Sequence, residues 1–159
     1  MVGPPSARDP QSVLFACGQN SVRSPMAAAL FRHLFGHVSY VASAGVRKGE
    51  LDPFAVAAMD ELGLDISKHR PMTIEELDDW EGLNFDLIVT LSPEAHHKAL
   101  DLTRTLAADV AYWPTPDPTD SEGSREQRLD AYRATRDMLL ARIKERFGAP
   151  PGGMGIVAD

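Results

Sequence analysis

A three-layer α/β fold, a parallel sheet with helices on both faces, is predicted by two features of this 159-residue sequence. Short apolar runs alternate with amphipathic segments along the chain, the order of repeated βαβ units. The run Phe85-Asp-Leu-Ile-Val-Thr-Leu91 is nearly all apolar, as a strand covered on both faces should be.

Each element has its own signal. A first strand is expected over 12–16. Ser24 at the N-cap and Pro25 at the first position predict a helix that stops near Gly36. Its Met26, Leu30 and Leu34, with Phe31 and Phe35, fall on one face. A second strand is expected over 38–43. Asp52-Pro53 opens a second helix that turns Ala55, Met59 and Leu62 inward and ends at Gly63. Thr73-x-x-Glu76 is a capping box for a short helix to about Trp80. The 85–91 strand follows, and Ser92-Pro93 starts another helix. A short fourth strand is expected over 110–113 and a loop over 114–123. Ser124-x-x-Gln127 caps a long last helix, with Leu129, Tyr132, Leu139 and Ile143 at helical spacing.

Composition narrows the function. At 43% hydrophobic, the chain can bury a real core, and it reads as a single domain over 12–147. Residues 1–11, rich in Pro, Ser and charge, and 148–159, rich in Gly and Pro, are expected to be mobile tails. The formal charge is −7 and no Lys/Arg cluster appears, which argues against nucleic acid as a partner. No apolar run approaches the ~20 residues of a membrane span, and no signal peptide is read. A single cysteine excludes an internal disulfide, and a cytoplasmic protein is expected.

That cysteine opens Cys17-Gly18-Gln19-Asn20-Ser21-Val22-Arg23-Ser24, between the first strand and the first helix. Ligands of parallel sheets bind beyond the carboxyl ends of the strands, where this turn lies. Converging backbone N–H groups and the helix dipole favour an anion there, and favour thiolate over thiol. An arginine fork suits a tetrahedral oxyanion. The eight residues thus combine a nucleophile, an oxyanion cradle and a charge clamp. They suit transfer of a phosphoryl group or similar oxyanion to sulfur. Simpler readings stand beside this one. Ser24 could be a plain N-cap, Asn20 a turn residue, Ser43 a strand-end serine and His69 a loop histidine. His96-His97 reads as a solvated helix face, and Trp113 as core or cleft wall. Tyr112 and Tyr132 read as packing residues.

The run Val13-Leu-Phe-Ala-Cys17-Gly-Gln-Asn-Ser-Val-Arg23-Ser-Pro-Met26-Ala resembles the catalytic loop of the low-molecular-weight protein tyrosine phosphatases and the related arsenate reductases. The likeness continues in order at Ser43-Ala44-Gly45, Asp52-Pro53, Gly63-Leu-Asp-Ile-Ser67-Lys-His69, Phe85-Asp-Leu-Ile-Val89 and Asp117-Pro118. It implies a sheet of order 2-1-3-4. It implies Cys17 as nucleophile, Arg23 as phosphate clamp and Asp117 as general acid, with Asp120 as the competing choice. Gly18, Gln19, Asn20, Ser21, Val22, Arg23 and Ser24 would bind the phosphate. Ser24 would donate its hydroxyl to the Cys17 thiolate. Asn20 would shape the loop through Ser43 and His69. No metal or cofactor is implied, and the substrate would be a phosphorylated protein or a small phosphomonoester.

Three departures bear on function. Val22 replaces the second cysteine that many family phosphatases carry before the arginine. Thr119 replaces the aromatic that usually follows Asp-Pro and lines a phosphotyrosine cleft. Ser92 stands where an acidic residue is frequent. The further cysteines of thioredoxin-coupled arsenate reductases are missing, so the reductase alternative is one that draws on an external small thiol. A non-catalytic oxyanion-binding protein is the remaining alternative.

Overall fold

The computed structural model describes residues 12–37 and 39–148. Of the tails expected over 1–11 and 148–159, all but Gly148 lies outside the described residues, as does Val38 at the expected start of the second strand. Four strands, β1 (Ser12–Cys17), β2 (Tyr40–Gly45), β3 (Leu87–Thr90) and β4 (Asp109–Tyr112), pair in the order β2-β1-β3-β4, all parallel. The order and the parallel pairing are those expected.

Alternation along β1 divides the core in two. Val13 and Phe15 face one layer, with α1 (Arg23–Phe35), α2 (Pro53–Asp60) and α5 (Arg125–Phe147). Leu14 and Ala16 face the other, with α3 (Ile74–Glu81) and α4 (Pro93–Leu102). Phe31 meets Phe15 edge-on at 5.9 Å between ring centroids and Phe147 at 5.0 Å, so the first layer locks strand, first helix and last helix together. Among the described residues no helix is long and apolar enough to cross a membrane.

The capping signals hold at four helix starts. Asp52 accepts from Phe54 N–H at 2.8 Å, and Ser92 from Ala95 N–H at 3.1 Å. Thr73 with Glu76 and Ser124 with Gln127 both close capping boxes. The helix opened by Asp52 stops at Asp60, and the chain turns through Gly63 at φ +75°.

Six expectations need correction. Strand β3 covers only Leu87–Thr90 of the expected 85–91, and β4 runs over Asp109–Tyr112, one residue upstream of the expected 110–113. Helix α1 begins at Arg23 behind Val22, which makes no side-chain cap, so Ser24 and Pro25 lie within the first turn. The Ser24 hydroxyl is bound elsewhere, as described below. Strand β1 runs one residue further than expected, and its last residue is Cys17. Strand β2 sits two residues downstream, over 40–45, because it follows the register of β1 to Gly45 opposite Cys17. His97 is exposed as expected, but His96 is half-buried: its Nδ1 lies 3.0 Å from Thr90 Oγ1 and its ring stacks on Tyr112 at 4.4 Å. The 114–123 loop contains one 3₁₀ turn, Pro118–Asp120. Trp113 is core, packed on Phe15 and Phe147.

Candidate active site

The turn after β1 is held from outside by the chain that follows β2. Val46 N–H donates to Cys17 O at 3.1 Å, Arg47 N–H to Gly18 O at 2.8 Å and Gly49 N–H to Gln19 O at 3.0 Å. Asp52 N–H donates to Ser21 O at 3.2 Å. In a planar trans peptide the N–H points away from the carbonyl. Drawing these carbonyls outward therefore leaves the N–H face of the loop toward the cavity, the arrangement of an anion nest. Gly45 makes this approach possible, because a Cβ there would lie 2.8 Å from Asn20 N and 2.4 Å from Arg47 O.

Asn20 organises the turn. It is fully buried and has φ +56°, a left-handed conformation in which Asn is one of the few tolerated residues. Its Nδ2 donates to Ser24 Oγ at 2.9 Å and to Ser43 Oγ at 3.0 Å. Its Oδ1 accepts from Met72 N–H at 3.0 Å, and its backbone carbonyl accepts from His69 Nε2 at 3.1 Å. A carbonyl only accepts, so the proton of the His69 ring sits on Nε2. Burial, opposed by the Asn20 bond and reinforced by the nearby Arg32 charge, holds the imidazole below its ordinary pKa. The network of Asn20, Ser24, Ser43 and His69 is thus brought together in space.

Ser24 Oγ lies 2.9 Å from Cys17 Sγ, and both groups are buried. Arg23 donates from Nη1 to Thr115 O at 2.9 Å, and its Nη2 lies 3.6 Å from Asp117 Oδ2. The other Asp117 oxygen accepts from Thr119 N–H at 3.0 Å and Thr119 Oγ1 at 2.7 Å. Cys17, Gly18, Gln19, Ser21, Val22, Arg23, Asp117 and Thr119 line one cavity of about 220 Å³. Asp120 does not line it. Ser24 and Asn20 stand behind the wall rather than in it.

Two cavity residues were not read from the sequence, Arg47 and Glu94. They form an ion pair across the mouth, with Glu94 close to Gly18. Glu94 belongs to the first turn of α4, two residues past Ser92, so a carboxylate enters this region although Ser92 itself is a buried cap. The only sequence signal was its position at a helix start beyond a strand end. Tyr132 packs as its sequence position predicts, and its OH also donates to Asp52 Oδ2 at 2.6 Å. Its phenol is pushed above its ordinary pKa by burial first, then by the Asp52 bond and the charges of Asp52 and Asp117. Among the described residues no three His, Cys, Asp or Glu side chains gather as a metal site.

A parallel sheet of order 2-1-3-4 with a cysteine-to-arginine turn at the carboxyl end of its second strand in space defines a class of oxyanion-handling α/β proteins. Residues 12–147 match the low molecular weight phosphotyrosine protein phosphatase family, and the chain belongs to it. The chain is 34% identical over 135 residues to an arsenate reductase of Shouchella clausii (strain KSM-K16), covering 84% of this chain and 92% of the relative. Among solved structures it resembles the low molecular weight protein tyrosine phosphatase from T. tengcongensis, with TM-score 0.68 and 26% identity over 84% of this chain and 95% of that one. It also resembles an arsenate reductase from Archaeoglobus fulgidus DSM 4304, with TM-score 0.64 and 29% identity over 86% and 98% of the two chains.

Proposed function

We propose that this protein is a cysteine-dependent phosphatase that hydrolyses phosphomonoesters of the phosphotyrosine type through a cysteinyl-phosphate intermediate. The observation that carries the reading is a single relay. Asn20 Nδ2 donates to Ser24 Oγ, Ser24 Oγ contacts Cys17 Sγ, and Cys17, Arg23 and Asp117 line one cavity.

In the first step the Cys17 thiolate attacks phosphorus in line. The ester P–O bond breaks, and Asp117 gives its proton to the leaving oxygen. Arg23 and the loop N–H groups hold the equatorial oxygens of the transition state. In the second step water attacks the cysteinyl phosphate, the S–P bond breaks, and Asp117 takes the proton from water. Cys17 returns as thiolate and inorganic phosphate leaves. The Arg23–Asp117 separation of 3.6 Å supports the pairing of clamp and acid at one reaction centre. Asp117, rather than Asp120, is the acid in this reading, because Asp117 reaches the cavity. Substrates are phosphorylated proteins or small phosphomonoesters. The lone cysteine as free nucleophile fits a reducing cytoplasm.

A second reading is supported by the relatives at 30–35% identity that carry the name arsenate reductase. With one cysteine, the two electrons for that reaction would come from an external small thiol. One assay separates the readings. Hydrolysis of an aryl phosphate is measured beside reduction of arsenate in the presence of glutathione, for the natural protein and for Cys17→Ser. Phosphate release without arsenite, lost in Cys17→Ser, is the expected result. Thiol-dependent arsenite formation with no aryl-phosphate turnover would replace the first reading by the second.

A further inference from the structure

Strand β2 lies at the edge of the sheet and pairs on one side with β1. On its other side the chain returns for a single parallel bridge, Gly45 to Thr73, with Gly45 N–H donating to Met72 O at 2.9 Å. One feature stops this ladder: its next step would need the N–H of Met72, which is committed to Asn20 Oδ1. Backbone groups alternate along a strand, so Val41 and Ser43 face the same side as Gly45. Val41 O does point there, because it accepts from Arg32 Nη2 at 3.4 Å. Among the described residues no other strand covers this edge at 41–43, where Arg32 already holds the carbonyl of the buried Val41 and the backbone of Ser43 carries the open positions.

An open edge is usually blunted by being covered or charged. Here it forms the floor of a cavity of about 290 Å³, walled by Arg32, Tyr40, Lys68, Arg70, Trp80 and one carboxylate, Glu81, which accepts from the Tyr40 hydroxyl. Trp80 is 78% exposed, a large apolar surface to leave in water. None of Arg32, Lys68 and Arg70 forms an ion pair with a carboxylate among the described residues, although Asp65 feels the charge of Lys68. Arg47, Lys48, Lys98, Arg133 and Arg136 are all paired in that way. In a chain of net charge −7, three cations without a carboxylate partner outnumber the single carboxylate, Glu81, around this edge and leave it locally positive.

We propose that this groove docks a short, extended, acidic segment of a partner protein, added as a strand beside residues 41–43 of β2. Main-chain hydrogen bonds to the edge would supply the register, the three cations would select glutamate or aspartate, and Trp80 would cover one apolar side chain. The segment would lie close to the catalytic loop. Ser43 is two residues, about 7 Å, along β2 from Gly45, which is opposite Cys17. Docking itself does not depend on the reaction proposed above.

The test uses the whole protein and a blocked peptide of alternating glutamate and valine. Trp80 is the exposed reporter, since the other tryptophan, Trp113, is buried. The peptide is expected to change tryptophan emission saturably, and to do so equally with orthovanadate filling the catalytic cavity. Lys68→Glu together with Arg70→Glu should weaken binding at least about tenfold, and N-methylation of the peptide backbone should weaken it similarly. Calorimetry on Trp80→Phe gives a measure of binding that does not rely on the reporter. The proposal is overturned if the natural protein shows no saturable binding, or if a lysine–valine peptide binds as well. It is equally overturned if the charge reversals or N-methylation change nothing, if vanadate displaces the peptide, or if single-stranded oligothymidylate binds more tightly than the peptide.

Discussion

Asn20 donates its side-chain amide to Ser24 Oγ at 2.9 Å, and this fixes what the serine can do for its neighbour. The amide nitrogen only donates, so the hydroxyl oxygen accepts from it, and the single hydroxyl proton is free to point at Cys17 Sγ 2.9 Å away. Hydrogen bonds to a charged partner contribute about 1.5–3 kcal/mol. Ser24→Ala is therefore expected to lower kcat for an aryl phosphate by about 10–100-fold, at ~1.4 kcal/mol per tenfold, with a smaller change in KM. A kcat within twofold of the natural enzyme would show that the sulfur does not depend on this donor.

Asn20 itself should matter for stability as well as rate. Its removal strands Met72 N–H and Ser43 Oγ, and an unsatisfied buried group costs about 1–3 kcal/mol. Asn20→Gly keeps the left-handed backbone at no steric cost, whereas Asn20→Ala adds about 1 kcal/mol or more of strain at φ +56°. Urea unfolding should rank the natural protein above the glycine variant, and the glycine variant above the alanine one. Equal midpoints for the two variants would mean that the side-chain bonds alone set the loop.

Arg23 uses both terminal nitrogens, one on Thr115 O and one toward Asp117. A lysine keeps the charge but not the fork. Arg23→Lys and Arg23→Ala should each lower kcat/KM by on the order of 10³-fold and lie within tenfold of one another. A lysine variant with nearly natural kcat would reduce Arg23 to a point charge.

Asp117 and Asp120 can be separated by leaving group. Asp117→Asn should slow esters with poor leaving groups by ~10²-fold or more and good ones much less, since a good leaving group needs little protonation. Asp120→Asn should leave that ratio unchanged. The same loop carries Thr119 at the cavity wall. A stacking ring there would add about 0.5–1.5 kcal/mol, so Thr119→Tyr is expected to raise the preference for phosphotyrosine peptides by roughly threefold to tenfold.

The strand order followed from the family likeness and the helix starts from capping residues. Capping signals are local, and local chemistry is legible. What was not legible depended on distant partners. The bond from Ser24 to Cys17 is expected from the family likeness, but the Asn20 amide that holds the same hydroxyl, and the helix start ahead of Ser24, are not. The second strand could be placed only by its register on β1, which a single strand's pattern does not carry. Arg47 and Glu94 meet across 47 residues of chain, and an exposed pair of that kind has no sequence signature. His69 was suspected, but its partner atom, a backbone carbonyl of Asn20, could only be seen in the fold.

His69 also yields a pH dependence. Its imidazole is held below the ordinary 6.5, mainly by burial. Above pH 6.5 the ring is neutral in both the folded and the unfolded chain, and its contribution to stability is complete. As pH falls below 6.5 the unfolded chain takes up the proton first, so stability declines until the pH has passed the lower folded value. The Asn20 contact is not what is lost, because a protonated ring still donates from Nε2. The cost is that of charging a buried group with the Arg32 charge nearby. His69→Gln carries a side-chain N–H but does not titrate. Its urea midpoint should therefore fall less between pH 7 and pH 5 than that of the natural protein, even if it starts lower. Parallel pH profiles for the two proteins would show that His69 contributes no proton linkage to folding.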